Sequence, residues 1–146
     1  MTTIIDPIVS AFKGAAGSAL IAFKLMIHPK PKPAPRVARF GVYYPDYAPW
    51  QKQAGQLLDE LKTEVQDGPI ALYIEAVVEK PKTTKRKFPR GDCDNYSKST
   101  CDVITKAQKL WKDDDQIVLL MVSKRFAETD EDPHIQINAW PMEDQT

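Results

Sequence analysis

Two groups of aspartates in the second half of the chain have the residue types and spacing of a metal-binding site. Asp92 and Asp94 flank Cys93 just before or at the start of a predicted helix, and residues 113–115 are three aspartates that immediately precede a predicted strand. Carboxylates at the ends of elements can converge without being buried, and a hard divalent cation relieves their mutual repulsion. Because Mg²⁺ uses one or two carboxylates together with water and phosphate oxygens, the two groups favour a site that acts on a phosphodiester.

A lysine and two basic segments accompany these carboxylates. Lys98 follows Asp94 by one helical turn, which places its ammonium group where it can contact a scissile phosphate or a metal-bound water. Metal ions can activate water, stabilise the leaving 3′ oxygen and offset the charge on phosphorus, which are the needs of phosphodiester hydrolysis. Segments 24–45 and 80–90 lack acidic residues, and we predict that they hold flanking phosphates through these side chains: Lys30, Lys32, Arg36, Arg39, Lys82, Lys85, Arg86, Lys87 and Arg90.

The elements that must position these residues follow from hydrophobic periodicity. A continuous apolar run over 19–27 predicts a buried strand, which ends at a stiff, extended, Pro-rich segment over 28–36. Helical spacing predicts an amphipathic helix over 49–66, and strict alternation predicts a strand over 70–79. A second helix is predicted over roughly 95–109 with Asp92 or Asp94 at its N-cap, and two further strands follow, at 117–122 and from 135 to Pro141.

The order β, α, β, α, β, β predicts an α/β (α+β) fold, with a mixed sheet of about four strands flanked by two helices. The chain has 146 residues, of which 42% are hydrophobic and 27% charged, and this suits one folded domain rather than two domains or a disordered chain. We expect residues 1–18 to form an N-terminal arm or short helix that packs on a partner subunit, and residues 19–146 to form the domain.

The cysteines and the apolar segments indicate where the protein acts. Cys93 and Cys101 have neither the number nor the spacing of a disulfide framework, and no cleavable signal precedes the domain, so we expect a reducing intracellular compartment. The apolar stretch 4–27 is interrupted by three charged residues, so we expect a soluble protein without a membrane partner. Since the formal net charge is zero, a polyanionic partner must be recognised through the uneven distribution of charge.

The acidic, lysine and glutamine positions together resemble a known pattern. The sequences GDCDNYSK and WKDDDQI are similar to the RusA family of Holliday junction resolvases. Members of that family carry Asp-x-Asp-Asn, a lysine four residues after the second aspartate, an aspartate ten residues after the first, and a later Asp-Asp-x-Gln. Each element has a counterpart in this chain: Asp92, Asp94, Asn95, Lys98, Asp102, Asp113, Asp114 and Gln116. The likeness spans roughly residues 20–141 and includes a loose match of PKPKPAPR to a family loop.

This resemblance implies roles for individual residues and a function for the chain. It implies that Asp92, Asp94 and Asp114 bind the metal, with Asp113 as a further candidate, and that Lys98 is the catalytic lysine. It also implies a homodimer that makes paired nicks across a four-way DNA junction. The expected function is a Mg²⁺-dependent endodeoxyribonuclease, in which Mn²⁺ can substitute, that resolves Holliday junctions in DNA recombination and repair. The expected location is the cytoplasm of a bacterial or phage-infected cell.

Each of these residues can also have a purely structural role. Asp92 and Asp94 can act as helix caps, which contribute about 1 kcal/mol each, and residues 113–115 can form a solvated turn. Asp94, Lys98 and Asp102 can form helical ion pairs worth roughly 0.3–0.5 kcal/mol each, and we assign Asp102 that role alone. The cysteines and histidines lack the spacing of a zinc site, so we expect them to be structural.

Two other functions, from different classes, remain open. One is a non-catalytic module with the same fold that binds branched DNA, although intact carboxylates and lysine argue against it. The other is a metal-stabilised interaction protein with no nucleic-acid partner. Salt-dependent affinity for branched over linear duplex DNA distinguishes the latter from both DNA functions, because phosphate contacts release counterions.

Overall fold

The structure is a computed structural model that describes residues 21–43 and 46–142, so the expected arm at 1–18 lies outside the described residues. The elements are β1 (Ile21–Leu25), β2 (Arg36–Ala38), β3 (Gly41–Tyr43), α1 (Tyr47–Asp59), β4 (Ile70–Val78), α2 (Cys93–Ala107), a 3₁₀ turn (Asp114–Gln116), β5 (Ile117–Phe126) and β6 (His134–Pro141). The predicted α+β class, with a mixed four-stranded sheet and two helices, is confirmed. Each helix in the described part of the chain falls short of the length and apolarity needed to cross a bilayer.

The main sheet has the strand order β1-β6-β4-β5. Strand β6 runs antiparallel to both of its neighbours, whereas β4 and β5 are parallel. A parallel pair needs a long crossover connection, and α2 lies within the connection that joins β4 to β5. One acidic group therefore lies at the start of α2, which follows the end of β4, whereas the other lies at the start of β5, beside the start of β4.

Both helices pack against the same face of the sheet. The alternation predicted for β4 is confirmed, because Ile70, Leu72 and Ile74 join the core shared with the helices, while Ala71 and Tyr73 face the opposite side. The helices and the loop after α2 supply these residues to that core: Tyr47, Trp50, Ala54, Leu58, Cys101, Val103, Ile104, Leu110 and Trp111. Packing of these side chains holds both helices against the sheet.

Helix α1 ends earlier than its hydrophobic periodicity predicts. It stops at Asp59 rather than near residue 66, although Leu61 and Val65 continue the helical spacing. Lys109 Nζ donates to the Leu61 carbonyl at 2.9 Å, and Gln66 forms a parallel bridge with the residue that follows Leu110. Backbone groups after Asp59 therefore form hydrogen bonds with the loop after α2 instead of the bonds that would continue the helix.

A short hairpin, absent from the sequence prediction, follows the Pro-rich segment. Strands β2 and β3 pair antiparallel, with Val37 opposite Val42 and Ala38 opposite Gly41. Gly41 has a φ of +145°, which favours glycine at this position. Strands of three residues are too short to give a period-two pattern, so the sequence did not predict them.

Candidate functional site

The first acidic group lies at the start of α2. Asp92 occupies the N-cap with extended φ and ψ of −79° and 143°, but its side chain makes no capping hydrogen bond. Its carbonyl accepts the N–H groups of Asn95 at 3.0 Å and Tyr96 at 3.1 Å, which begins the helix. Asp92 thus begins the helix through its backbone, and its carboxylate is exposed and takes no part in capping.

Asp94 and Lys98 form the ion pair that helical spacing predicts. The distance from Lys98 Nζ to Asp94 Oδ2 is 3.0 Å, and the two side chains are 54% and 70% exposed, respectively. An exposed pair of this kind contributes about 0.3–0.5 kcal/mol to stability. The pair adds little to stability, and it holds a carboxylate and an ammonium group together on the surface of the helix.

Asp102 differs from its predicted role as a helical ion-pair partner. Its Oδ2 lies 3.0 Å from Lys32 Nζ, in the Pro-rich segment, and it accepts a 3.1 Å hydrogen bond from the Tyr47 hydroxyl at the start of α1. The Lys32 and Asp102 side chains are only about one-third exposed, at 32% and 33%. Asp102 thus joins three segments of the chain, and only the folded structure reveals these partners.

Further hydrogen bonds fasten the segment over 28–35 to α2. Ser99 Oγ donates to the Lys30 carbonyl at 2.6 Å, and the Lys32 N–H donates to the Asn95 carbonyl at 2.9 Å. Proline has no N–H, so this segment cannot pair as a strand and its polar groups find partners on the helix instead. The basic segment is consequently held beside the start of α2.

The second acidic group begins with a capping box. The Asp113 side chain accepts the Asp115 N–H at 3.1 Å, and Gln116 Oε1 accepts the Asp113 N–H at 3.2 Å. Gln116 Nε2 donates to the carbonyls of Gln66 at 2.7 Å and Gly68 at 3.0 Å. These bonds give Asp113 and Gln116 a structural task, which is to fix the turn that presents Asp114.

One member of each acidic group lines an open cavity of about 270 Å³. Four charged side chains line it, namely Asp94, Lys98, Asp102 and Asp114. Asp92 and Asp113 are not among its lining residues. Sequence reasoning missed Asp102, whose position ten residues after Asp92 was the available signal.

Other carboxylates crowd around Asp114. Its hydrogen bond to Asp113 raises the pKa of Asp114 above its usual value, and desolvation and the charges of Asp113, Asp102 and Asp115 raise that pKa further. A carboxyl whose pKa rises for these reasons lies in a field of negative charge. Such a field is relieved by protonation or by a cation, and hard oxygen donors suit Mg²⁺.

The carboxylates form an open set rather than a closed cage. Among the described residues, no three His, Cys, Asp or Glu side chains are grouped closely enough to enclose a metal ion. Mg²⁺ is commonly held by one or two carboxylates, with waters and substrate phosphates completing its shell. Asp94 and Asp114, on one cavity, fit this kind of site, which a bound phosphate would complete.

The two basic segments meet at the start of α2. A Cβ placed on Gly91 would lie 3.1 Å from Pro31 Cγ, so the segment over 28–35 touches the end of the loop over 80–91. Gly91 has a φ of +93°, and its carbonyl accepts a hydrogen bond from Lys124 Nζ. The Arg86 guanidinium lies 4.8 Å from the centre of the Phe88 ring.

Most of the predicted DNA-binding side chains face solvent. The exposed ones are Arg39, Lys82, Lys85, Lys87 and Arg90, and those half-buried are Lys30, Lys32 and Arg86. Arg36 belongs to β2, and its side chain lies outside the described atoms. Most of these basic groups are therefore accessible to a polyanion.

One known protein family matches this chain. The family model described as endodeoxyribonuclease RusA matches residues 27–138. The matched region covers most of the chain and contains every residue that lines the 270 Å³ cavity. A search of curated proteins gave no match.

Proposed function

The chain belongs to the RusA family of endodeoxyribonucleases, hydrolases that act on DNA, and on that premise we propose that it is a Mg²⁺-dependent resolvase of Holliday junctions. The family implies this activity and the binding of branched DNA. The metal dependence is supported by one observation above others, which is that Asp94, Lys98 and Asp114 line one cavity. The proposal includes a role in DNA recombination and repair, in the cytoplasm of a bacterial or phage-infected cell.

Each group in the cavity has a proposed role that follows from its chemistry. Asp94 and Asp114, which line one cavity, would hold Mg²⁺. Asp92, exposed at the N-cap of α2 but outside the cavity lining, is proposed as a further ligand on the family resemblance alone. When bound, the ion supplies an activated water and offsets negative charge on the phosphate. Lys98 donates from its ammonium group to an oxygen of the scissile phosphate. Asp113 is proposed to position Asp114 through the capping box, and Mn²⁺ is expected to substitute for Mg²⁺.

The basic segments are proposed to hold the DNA on either side of the cut. They lack acidic residues, and they meet beside the N-terminus of α2, where backbone N–H groups favour phosphate. The ion pair of Lys32 with Asp102, which lines the cavity, supports a DNA path that passes the carboxylates. We therefore expect affinity to fall steeply with added salt.

The proposal extends to a homodimer formed through β5. This strand is at the edge of the described sheet and exposes apolar side chains, with Val118 at 60%, Leu119 at 39% and Leu120 at 46%. Natural proteins usually cover or charge such an edge, and a second copy can pair with it. In an antiparallel pair, the acidic residues 113–115 of one copy approach Lys124 of the other. Leu120 also lines the cavity, so the interface would border the catalytic groups.

A Mg²⁺ titration on a labelled four-way junction tests the proposed function. We expect the wild type to make paired nicks, and Asp94→Asn to cut at least about 100-fold more slowly while keeping its fold and its junction affinity. Asp130→Asn is the matched control, because it removes an exposed carboxylate from the loop between β5 and β6. Equal cleavage by the wild type and Asp94→Asn would reject the assignment. Junction binding without cleavage in either Mg²⁺ or Mn²⁺ would identify a non-catalytic DNA-binding module instead.

A further inference from the structure

The β2–β3 hairpin presents an apolar, aromatic tip to solvent. Phe40, in the two-residue turn, is 93% exposed, and the cross-strand pair Val37 and Val42 is 86% and 62% exposed. Every residue over 37–42 is exposed. A two-stranded hairpin is at best marginally stable alone in water, so this surface has the character of one that packs against a partner.

The charge around the hairpin indicates which partner it fits. Residues 24–45 include five lysines and arginines and no acidic residue. At the tip, the Arg39 guanidinium lies 5.5 Å from the centre of the Phe40 ring, so a cation and an aromatic face are presented together. A polyanion that also exposes flat apolar faces matches this pair, and DNA with unstacked bases has both properties.

The base of the hairpin adjoins the candidate active site. A second cavity, of about 330 Å³, is lined by Lys32 and Pro35 from the Pro-rich segment and by Asn95 and Lys98 from α2. Pro35 is followed directly by β2, and the Lys32 N–H is fixed to the Asn95 carbonyl. The hairpin therefore extends from a segment that is anchored beside Lys98.

We propose that the hairpin is a wedge for the branch point of the DNA, in which Phe40 stacks on an unstacked base and Arg39 contacts a neighbouring phosphate. Apolar side chains inserted between base steps are a known means of holding DNA in an opened form. The wedge rests on the proposed function, and it adds a reason for choosing branched over linear DNA. Strand exchange interrupts the duplex at a branch point, so unstacking a base there costs less than insertion into a continuous duplex.

Fluorescence of 2-aminopurine at the branch point tests the wedge directly. The junction carries 2-aminopurine beside the crossover, and binding is measured in Ca²⁺ so that cleavage does not interfere. We expect wild type and Phe40→Trp to raise the fluorescence on binding, and Phe40→Ala to abolish the rise. We also expect Phe40→Ala to weaken junction affinity about five-fold or more while changing linear-duplex affinity less. Met26→Ala, which removes an exposed apolar side chain outside the hairpin, should behave as wild type.

The results distinguish failure of the wedge from failure of the proposed function on which it rests. If the wild type neither binds nor cuts the junction in Mg²⁺, the proposed function fails, and the wedge with it. If the wild type cuts the junction and Phe40→Ala keeps both the fluorescence rise and the affinity, the wedge alone is rejected. If Phe40→Ala instead converts a dimer to monomers in sedimentation, the hairpin is a protein interface and the wedge is again rejected.

Discussion

Replacement of Asp102 by Asn tests whether the basic Pro-rich segment is held in place by a charge on α2. In the structure, Asp102 Oδ2 lies 3.0 Å from Lys32 Nζ and accepts the Tyr47 hydroxyl at 3.1 Å. Asn has nearly the same shape and keeps an acceptor oxygen, so the Tyr47 hydrogen bond can persist. The substitution therefore removes mainly the charge that attracts Lys32.

The expected size of the effect follows from partial burial. Exposed ion pairs contribute about 0.2–1 kcal/mol, and hydrogen bonds to charged groups contribute roughly 1.5–3 kcal/mol when well buried. The Lys32 and Asp102 side chains are 32% and 33% exposed, so the pair lies between these limits. We expect Asp102→Asn to lower the free energy of unfolding by about 1 kcal/mol, equivalent to a fall in Tm of about 2–4 °C in a domain of this size.

A double-mutant cycle isolates the interaction from other consequences of the substitution. Urea unfolding of wild type, Asp102→Asn, Lys32→Met and the double variant should give a coupling energy of about 0.5–1 kcal/mol. The matched control is the Asp94–Lys98 pair, which has the same 3.0 Å separation but is 70% and 54% exposed, and should couple more weakly. If the Asp102–Lys32 coupling is no larger than that of the exposed pair, Asp102 does not hold the segment and the reasoning is wrong.

Three further predictions concern the acid stability, the assembly and the second acidic group. Hydrogen bonds from Arg125 hold the pKa of Glu131 at about 2, below its usual 4.5, so this carboxylate stabilises the fold above pH 4.5 and loses that contribution as the pH falls towards 2. In urea unfolding at a series of pH values, Glu131→Gln should therefore show a shallower acid dependence than wild type, and equal slopes would contradict the assignment. Leu120→Lys should shift a dimer to monomer in sedimentation, whereas an unchanged mass would exclude the β5 edge as the interface. Gln116→Ala should lower the free energy of unfolding by about 1–2 kcal/mol and slow junction cleavage, because the turn that presents Asp114 loses its side-chain hydrogen bonds; unaltered cleavage would show that the turn is held by other contacts.

Local sequence predicted well the features that depend only on the geometry of a single strand or helix. Alternation along β4 separated its two faces correctly, because successive side chains of any strand point to opposite sides. The i, i+4 spacing of Asp94 and Lys98 predicted their ion pair, because one helical turn brings such residues together wherever the helix lies. Local rules also offered Asp92 or Asp94 as the N-cap of α2, and the structure has Asp92 there.

The tertiary structure decided which distant groups meet. Asp102 looked like one more member of a helical charge series, yet its partners are Lys32 and Tyr47, the latter 55 residues away along the chain. Asp113 was a further candidate ligand beside Asp114, but in the structure Asp113 forms the capping box and Asp114 lines the cavity. Sequence spacing determines contacts within an element, whereas contacts between elements depend on how the β4–α2–β5 crossover folds back on the sheet. The sequence alone thus showed two acidic motifs, whereas the cavity that Asp94 and Asp114 both line depends on how the crossover folds.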